Sequence, residues 1–248
     1  MTARSSQVLL IQVRDDDDPG REHERHCIAH RLAAERAELV TVNGLSGPME
    51  LGRLDRVDLL ILGGSGDYSV HDPRSATCVA ELRRLLDHVL QRQLPTFGIC
   101  FGHQLVGYHL GATVRTDDAH AEIGTVPVQL PAKGQRDPVF GELPVEFGAH
   151  TGHSDHVTSV PPGVELLAEG QRLRAQAFKV RGAPLYTTQF HPDMTGAEAI
   201  TRYLTYQESF AETLADQVNG AVDRFRPGQD AATLLLARFL EHVTQDDT

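Results

Sequence analysis

The chain has 248 residues, 40% of them hydrophobic, with 34 acidic against 23 basic side chains and a formal net charge of −11. That is enough apolar material for a substantial core in one α/β domain with an extension, and the acidity, with no Lys/Arg-rich block, excludes a nucleic-acid binder that works through a basic face. No run approaches the roughly 20 apolar residues that cross a bilayer. Cys27, Cys78 and Cys100 are the only cysteines. They are too scattered for a disulfide framework and form no Cys-x-x-Cys pair. The opening MTARSSQVLLIQV has a short apolar stretch without a small-residue cleavage site, so it reads as a strand rather than a signal peptide. A cytoplasmic protein with reduced thiols is expected.

In chain order, residues 7–13 (QVLLIQV) predict a buried strand, residues 22–37 a helix with Cys27, Ile28, Leu32 and Ala33 at helical spacing, and residues 38–42 a second strand. Residues 57–64 (VDLLILGG) predict a third strand ending in glycines, residues 74–93 a helix, and residues 94–99 (LPTFGI) a fourth strand. Continuous apolar strands alternating with helices predict a mostly parallel sheet covered on both faces. Between about 112 and 190 the chain turns to short, turn-bounded β-like segments. These predict antiparallel additions followed by a return to the main sheet. Two amphipathic stretches, 197–222 and 231–243, are separated by the turn signal RPGQD. The economical division is a domain over residues 1–195 and a C-terminal helical extension over 196–248, packed on the same domain.

Cys100 sits between the fourth strand and a helix beginning near Phe101, with Gly98 and Gly102 two residues to either side. Gly-x-Cys-x-Gly has the logic of a nucleophile elbow, in which a sharp strand-to-helix turn exposes the nucleophile at the carboxyl end of the sheet. The helix N-terminus brings partial positive charge and free N–H groups beside the sulfur, which favours the thiolate. Cys27 and Cys78, on apolar helix faces, read as packing residues.

PTFGICFGHQLVGYHLGA resembles the nucleophile motif of class I glutamine amidotransferases, and further segments match in order: LLILGGSGDYSV, EIGTVPVQL, GHSDHVTSVPPG and AQAFKVRGAPLYTTQFHPD. The GHSDHV stretch is most similar to the GMP synthase branch. The resemblance covers roughly residues 7–195. It implies a flavodoxin-like, doubly wound sheet and an amidase that hydrolyses the glutamine side chain through a γ-glutamyl thioester. By resemblance, Cys100 is the nucleophile, His191 the general base and Asp193 the third member, where the family usually has Glu. Gly64 and the N–H of Phe101 would hold the oxyanion. Gly66, Gln104, Gly152, His153, Ser154 and Asp155 would bind glutamine, the last four mostly through backbone. No cofactor and no metal are implied.

The acidic run Asp15–Asp18 reads as a solvated loop, because successive carboxylates point different ways. The histidine series His23, His26, His30 and His150, His153, His156 have spacings that could bind a metal, and are discounted as functional sites. The last fifty residues are too few for a synthetase module, so an acceptor-activating partner is expected to be a separate chain. Two other readings stay open: a γ-glutamyl peptide or conjugate hydrolase without ammonia transfer, and a non-catalytic regulatory domain of the same fold.

Overall fold

The computed structural model describes residues 5–33, 37–207 and 220–245. The first half alternates strands and helices: β1 (Ser6–Val13), α1 (Gly20–Leu32), β2 (Ala37–Asn43), β3 (Leu59–Ser65), α2 (Ala76–Arg92), β4 (Thr96–Ile99) and α3 (Phe101–His109). Seven strands follow: β5 (Val114–Thr116), β6 (Glu122–Gln129), β7 (Glu146–His153), β8 (Asp155–Val157), β9 (Val164–Gly170), β10 (Ala177–Val180) and β11 (Leu185–Thr188). Then come α4 (Gly196–Thr205) and α5 (Leu235–Gln245).

Among the described residues nine strands form one sheet in the order β2-β1-β3-β4-β11-β10-β9-β6-β7, while β5 and β8 make a separate pair. The pairs β1–β2, β1–β3, β3–β4 and β4–β11 are parallel. Those from β11 to β7 are antiparallel. The chain thus builds a parallel half, adds an antiparallel flank and returns to β4 through β11, as the segment pattern predicts.

Residue alternation decides which face of the sheet each helix covers. Val8, Leu10, Leu59, Ile61 and Phe97 point to the face covered by Ile28 and Leu32 of α1 and Leu236 and Phe239 of α5. Leu9, Ile11, Leu60 and Leu62 point to the opposite face, under Val79, Leu82 and Leu86 of α2 and Leu105 of α3. Two-sided burial explains why these strands read as unbroken apolar runs. Phe239 seats its ring edge-on to Phe97 at 5.3 Å and 5.1 Å from Tyr186, so the C-terminal helix completes the core of the sheet.

Three element boundaries differ from the sequence expectation. α1 ends at Leu32 rather than continuing to 37, because Ala37 pairs with Ser6 in the β1–β2 ladder. Sheet pairing outweighs the helical propensity of that stretch, of which 34–36 lie outside the described residues. In the 197–222 stretch α4 ends at Thr205, and residues 208–219 lie outside the described residues. The 231–243 stretch opens as a 3-10 turn before α5 begins at Leu235.

Candidate active site

The bend between β4 and α3 is held by backbone. The Cys100 N–H donates to Thr188 O at 2.8 Å, and the Cys100 carbonyl accepts the Gln104 N–H at 3.0 Å, closing the first turn of α3. Cys100 adopts φ 51° and ψ −97°, a left-handed conformation that costs a non-glycine residue about 1–3 kcal/mol. Its two glycine neighbours are sterically required. A Cβ on Gly98 would stand 2.9 Å from the Gly102 carbonyl carbon, and one on Gly102 would stand 2.3 Å from Leu62 O.

Downstream of β11, His191 is fixed by its N–H donating to His150 O at 2.9 Å. Because β11 runs parallel to β4, the residues after both strands emerge on one rim. The His191 imidazole and Cys100 line the same cavity. His191 Nδ1 pairs with Asp193 Oδ1 at 3.0 Å. The shorter side chain therefore still reaches the ring. Helix capping at this point falls instead to Thr195, which forms a capping box with Glu198 and anchors the 191–195 turn.

Burial alone would lower the His191 pKa, but the Asp193 charge, the hydrogen bond from Nδ1 and the adjacent Cys100 outweigh it and raise the value to about 9. Burial alone would raise Asp193. The His191 and Arg202 charges prevail and hold it well below the usual carboxylate range. The arrangement favours an imidazolium–carboxylate pair on the rim that carries Cys100. Cys27 and Cys78 are buried, and burial pushes their thiols up to about 12 and about 11.

The structure departs from the expected oxyanion pair at Gly64. Gly64 lies on the rim, with the position a Cβ would take 3.4 Å from His191 Cε1. Its N–H, however, donates to Glu24 Oε1 at 2.8 Å and so points away from the cleft. Glu24 is buried and its other oxygen accepts from Gln12 Nε2 at 2.8 Å and Arg14 Nε at 3.2 Å. Phe101 opens α3, where the first N–H groups precede any intrahelical acceptor.

A cleft of about 380 Å³ adjoins this cavity at Cys100, Gly66 and Gly152 and is further lined by Gln104 and the loop from Gly152 to Asp155. Gln104 is buried and donates its amide to Asp155 O at 2.8 Å, so it braces the loop against α3. The His153 ring turns inward, 3.4 Å from Glu122, leaving its backbone to the cleft. Asp155 Oδ1 accepts from Thr116 Oγ1 at 2.6 Å.

The acidic run disperses: Asp15 accepts from Tyr68, Asp16 from Arg21 and Asn43, and Asp18 from Arg14, Gly20 N and Tyr206. The histidines disperse likewise, with His23 facing Arg202 and His150 facing Thr125 and Asp230. Four residues at the site were not singled out from sequence. Gln189 places Nε2 3.7 Å from Cys100 Sγ. Arg14 and Glu24 form the buried pair behind the glycine loop. Arg202 is a buried cation beside Asp193. Only Arg202 carries a sequence signal, since it shares the apolar face of α4 with Ala199 and Tyr203 at helical spacing.

Comparison with known proteins agrees with this architecture. Residues 24–207 match the family model described as glutamine amidotransferase class-I. Among curated relatives, the glutamine-hydrolyzing GMP synthase subunit of Methanocaldococcus jannaschii is 32% identical over 120 residues, 48% of this chain and 62% of that protein. The corresponding GMP synthase subunit of Sulfurisphaera tokodaii is 32% identical over 154 residues, 61% of this chain and 74% of its own length. The chain therefore spans less than two thirds of the first of these and about three quarters of the second. Among solved structures, a glutamine amidotransferase from Thermotoga maritima superposes with a TM-score of 0.77 over 98% of this chain and 100% of that one at 18% identity, a likeness of fold. With the family model matched across most of its length, the chain belongs to the class-I glutamine amidotransferases.

Proposed function

We propose that the protein hydrolyses the side-chain amide of glutamine and releases ammonia to a separate acceptor-activating chain. The observation that carries this is the meeting of Cys100 and His191 on one rim, with Asp193 at 3.0 Å from the imidazole. The Cys100 thiolate attacks the amide carbon, and the oxyanion forms beside the Phe101 N–H. His191, protonated and held by Asp193, gives its proton to the departing nitrogen. Ammonia leaves and a γ-glutamyl thioester remains on Cys100. A water then gives a proton to His191 and attacks the thioester, expelling the Cys100 thiolate and releasing glutamate, whose new carboxyl group loses its proton to solvent.

The glutamyl part fits the 380 Å³ cleft between Gln104 and the Gly152–Asp155 loop. The leaving nitrogen faces His191, which shares the adjoining cavity with Cys100. The name of the relatives, a glutamine-hydrolyzing component of GMP synthase, supports glutamine as the substrate and a second chain as the user of ammonia.

The test is glutamate release from glutamine, beside a panel of γ-glutamyl peptides, with Cys100→Ala as control. Turnover of glutamine that is lost in Cys100→Ala supports the proposal. Faster cleavage of the peptides, or equal turnover by Cys100→Ala, overturns it.

A further inference from the structure

The Asp193 carboxylate has two oxygens and His191 uses one. The other, Oδ2, is buried and has no hydrogen-bond donor at bonding distance among the described residues; Arg202 Nη2 faces it at 3.6 Å. Arg202 is itself buried on α4, and its Nε donates to His23 Nδ1 on α1 at 2.8 Å. Among the described residues its two terminal nitrogens have no hydrogen-bond partner. A buried, incompletely bonded guanidinium is costly unless an opposite charge compensates it. The nearest carboxylate in that position is Asp193.

We infer that Arg202 is a positioning residue for the Cys100–His191–Asp193 site, acting through Asp193 and held in place by His23. This rests on the triad reading above. The geometry gives it two effects. It anchors the far oxygen of a carboxylate that is one methylene shorter than the family's usual Glu, so Oδ1 stays on His191. Its charge also draws on the Asp193 charge, which moderates how strongly Asp193 stabilises the imidazolium.

Other charged and titratable groups surround the pair. Cys100 faces His191 from the start of α3. Arg14, just past β1, and Glu24 of α1 lie on the Gly64 side, paired with each other at 3.2 Å. Glu198 of α4 is taken by Thr195 and by Arg31. Cys27 of α1 lies beside the Asp193–Arg202 pair with its thiol pushed up to about 12, and is therefore neutral. His23 must present an unprotonated Nδ1 to Arg202, and burial and the Arg202 charge lower its pKa accordingly.

Coulomb attraction fixes the direction of both effects. Without the Arg202 cation, Asp193 attracts the His191 proton more strongly, so the alkaline limb of the pH profile moves up from about 9. Asp193 also loses a cation that keeps it ionised, so its own protonation moves to higher pH, and the acid limb moves up as well. A purely structural role for Arg202 would move neither limb.

The experiment uses the full chain. Arg202→Gln and Arg202→Lys are compared with wild type for kcat, KM and pH profile on glutamine, and His191 is titrated directly by NMR of its imidazole. Arg202→Gln is expected to lower kcat about tenfold with little change in KM, and to raise the His191 midpoint. Arg202→Lys, which keeps the charge, should return the midpoint most of the way to wild type. Should Arg202→Gln not fold, Arg202→Lys and His23→Ala serve, since both loosen the anchor and are expected to lower kcat without raising KM. An unmoved midpoint in Arg202→Gln, or an unchanged kcat with the loss confined to KM in any of the three variants, overturns the inference. Cys100→Ala and Asp193→Asn run in the same assay separate the two proposals. If either retains full turnover the triad reading fails, whereas if both are inactive and the Arg202 variants behave as wild type, only the inference fails.

Discussion

The Gly64 N–H and the Glu24 carboxylate are joined by a buried 2.8 Å hydrogen bond. One turn of α1 thereby holds the glycine loop of the active rim from behind. The same carboxylate is shared by Gln12 and the Arg14 guanidinium, both buried. The charged network thus holds Gly64 at the end of β3, and a local bond from Ser65 Oγ to Tyr68 O at 2.6 Å closes the turn beyond it.

Glu24→Ala removes one partner of this buried ion pair and frees the Gly64 N–H at once. Arg14 keeps Asp18 at 3.3 Å, so the loss of Glu24 is expected to cost about 1–3 kcal/mol, read as a lower urea midpoint at unchanged slope. Glu24→Gln keeps an acceptor for Gly64 and is expected to lose less. Equal midpoints for Glu24→Ala and wild type would contradict the network's role.

Cys100 holds its place at the elbow with a φ of 51°. Glycine adopts positive φ without a Cβ penalty, whereas alanine does not. Cys100→Gly and Cys100→Ala are therefore both expected to lack glutaminase activity, with Cys100→Gly more stable than Cys100→Ala by about 1 kcal/mol. Thermal and urea unfolding of the two variants check the order, and the reverse order would remove the case for strain at the elbow.

The His191–Asp193 pair sets pH limits on turnover and on stability. His191 is raised to about 9, so loss of its proton should bring an alkaline fall in kcat near that pH. Its contribution to stability is fully present below the unfolded value near 6.5 and is lost as pH rises through about 9. Asp193 is depressed, so its contribution is present above the ordinary carboxylate range and is lost as pH falls through its folded value. Asp193→Asn should flatten both dependences and lower kcat by about 100-fold or more. Urea midpoints measured from about pH 4 to about pH 10 on both proteins test the signs.

The C-terminal helix seats Phe239 against Phe97 and Tyr186. Phe239→Ala is expected to cost about 3–5 kcal/mol, as in other buried aromatic truncations. A loss under about 1 kcal/mol, read from urea unfolding, would mean that α5 is dispensable to the core under the sheet.

Local chemistry was legible in the chain. The apolar runs of β1 and β3, the glycines flanking Cys100 and the order of the matched segments predicted a parallel sheet with an elbow at the end of β4. The end of α1 was not legible, because Ala37 is decided by its pairing with Ser6.

Within the site, Cys100 was marked by the glycines its turn demands, and His191 and Asp193 by the resemblance of their segment to the family's closing motif. Gly64, marked in the same way, faces Glu24 instead, because the direction of a backbone N–H depends on which distant carboxylate the helix brings to it. Gln189, Arg14, Glu24 and Arg202 owe their place at the site to contacts across ten to 179 residues. Sequence alone determined the elbow and the apolar runs of the buried strands, because those follow from sterics and residue pattern within a few residues. Only the tertiary structure decided which buried charges meet behind the triad, because ion pairing is set by position in space, and side chains far apart along the chain carry no local trace of their partners.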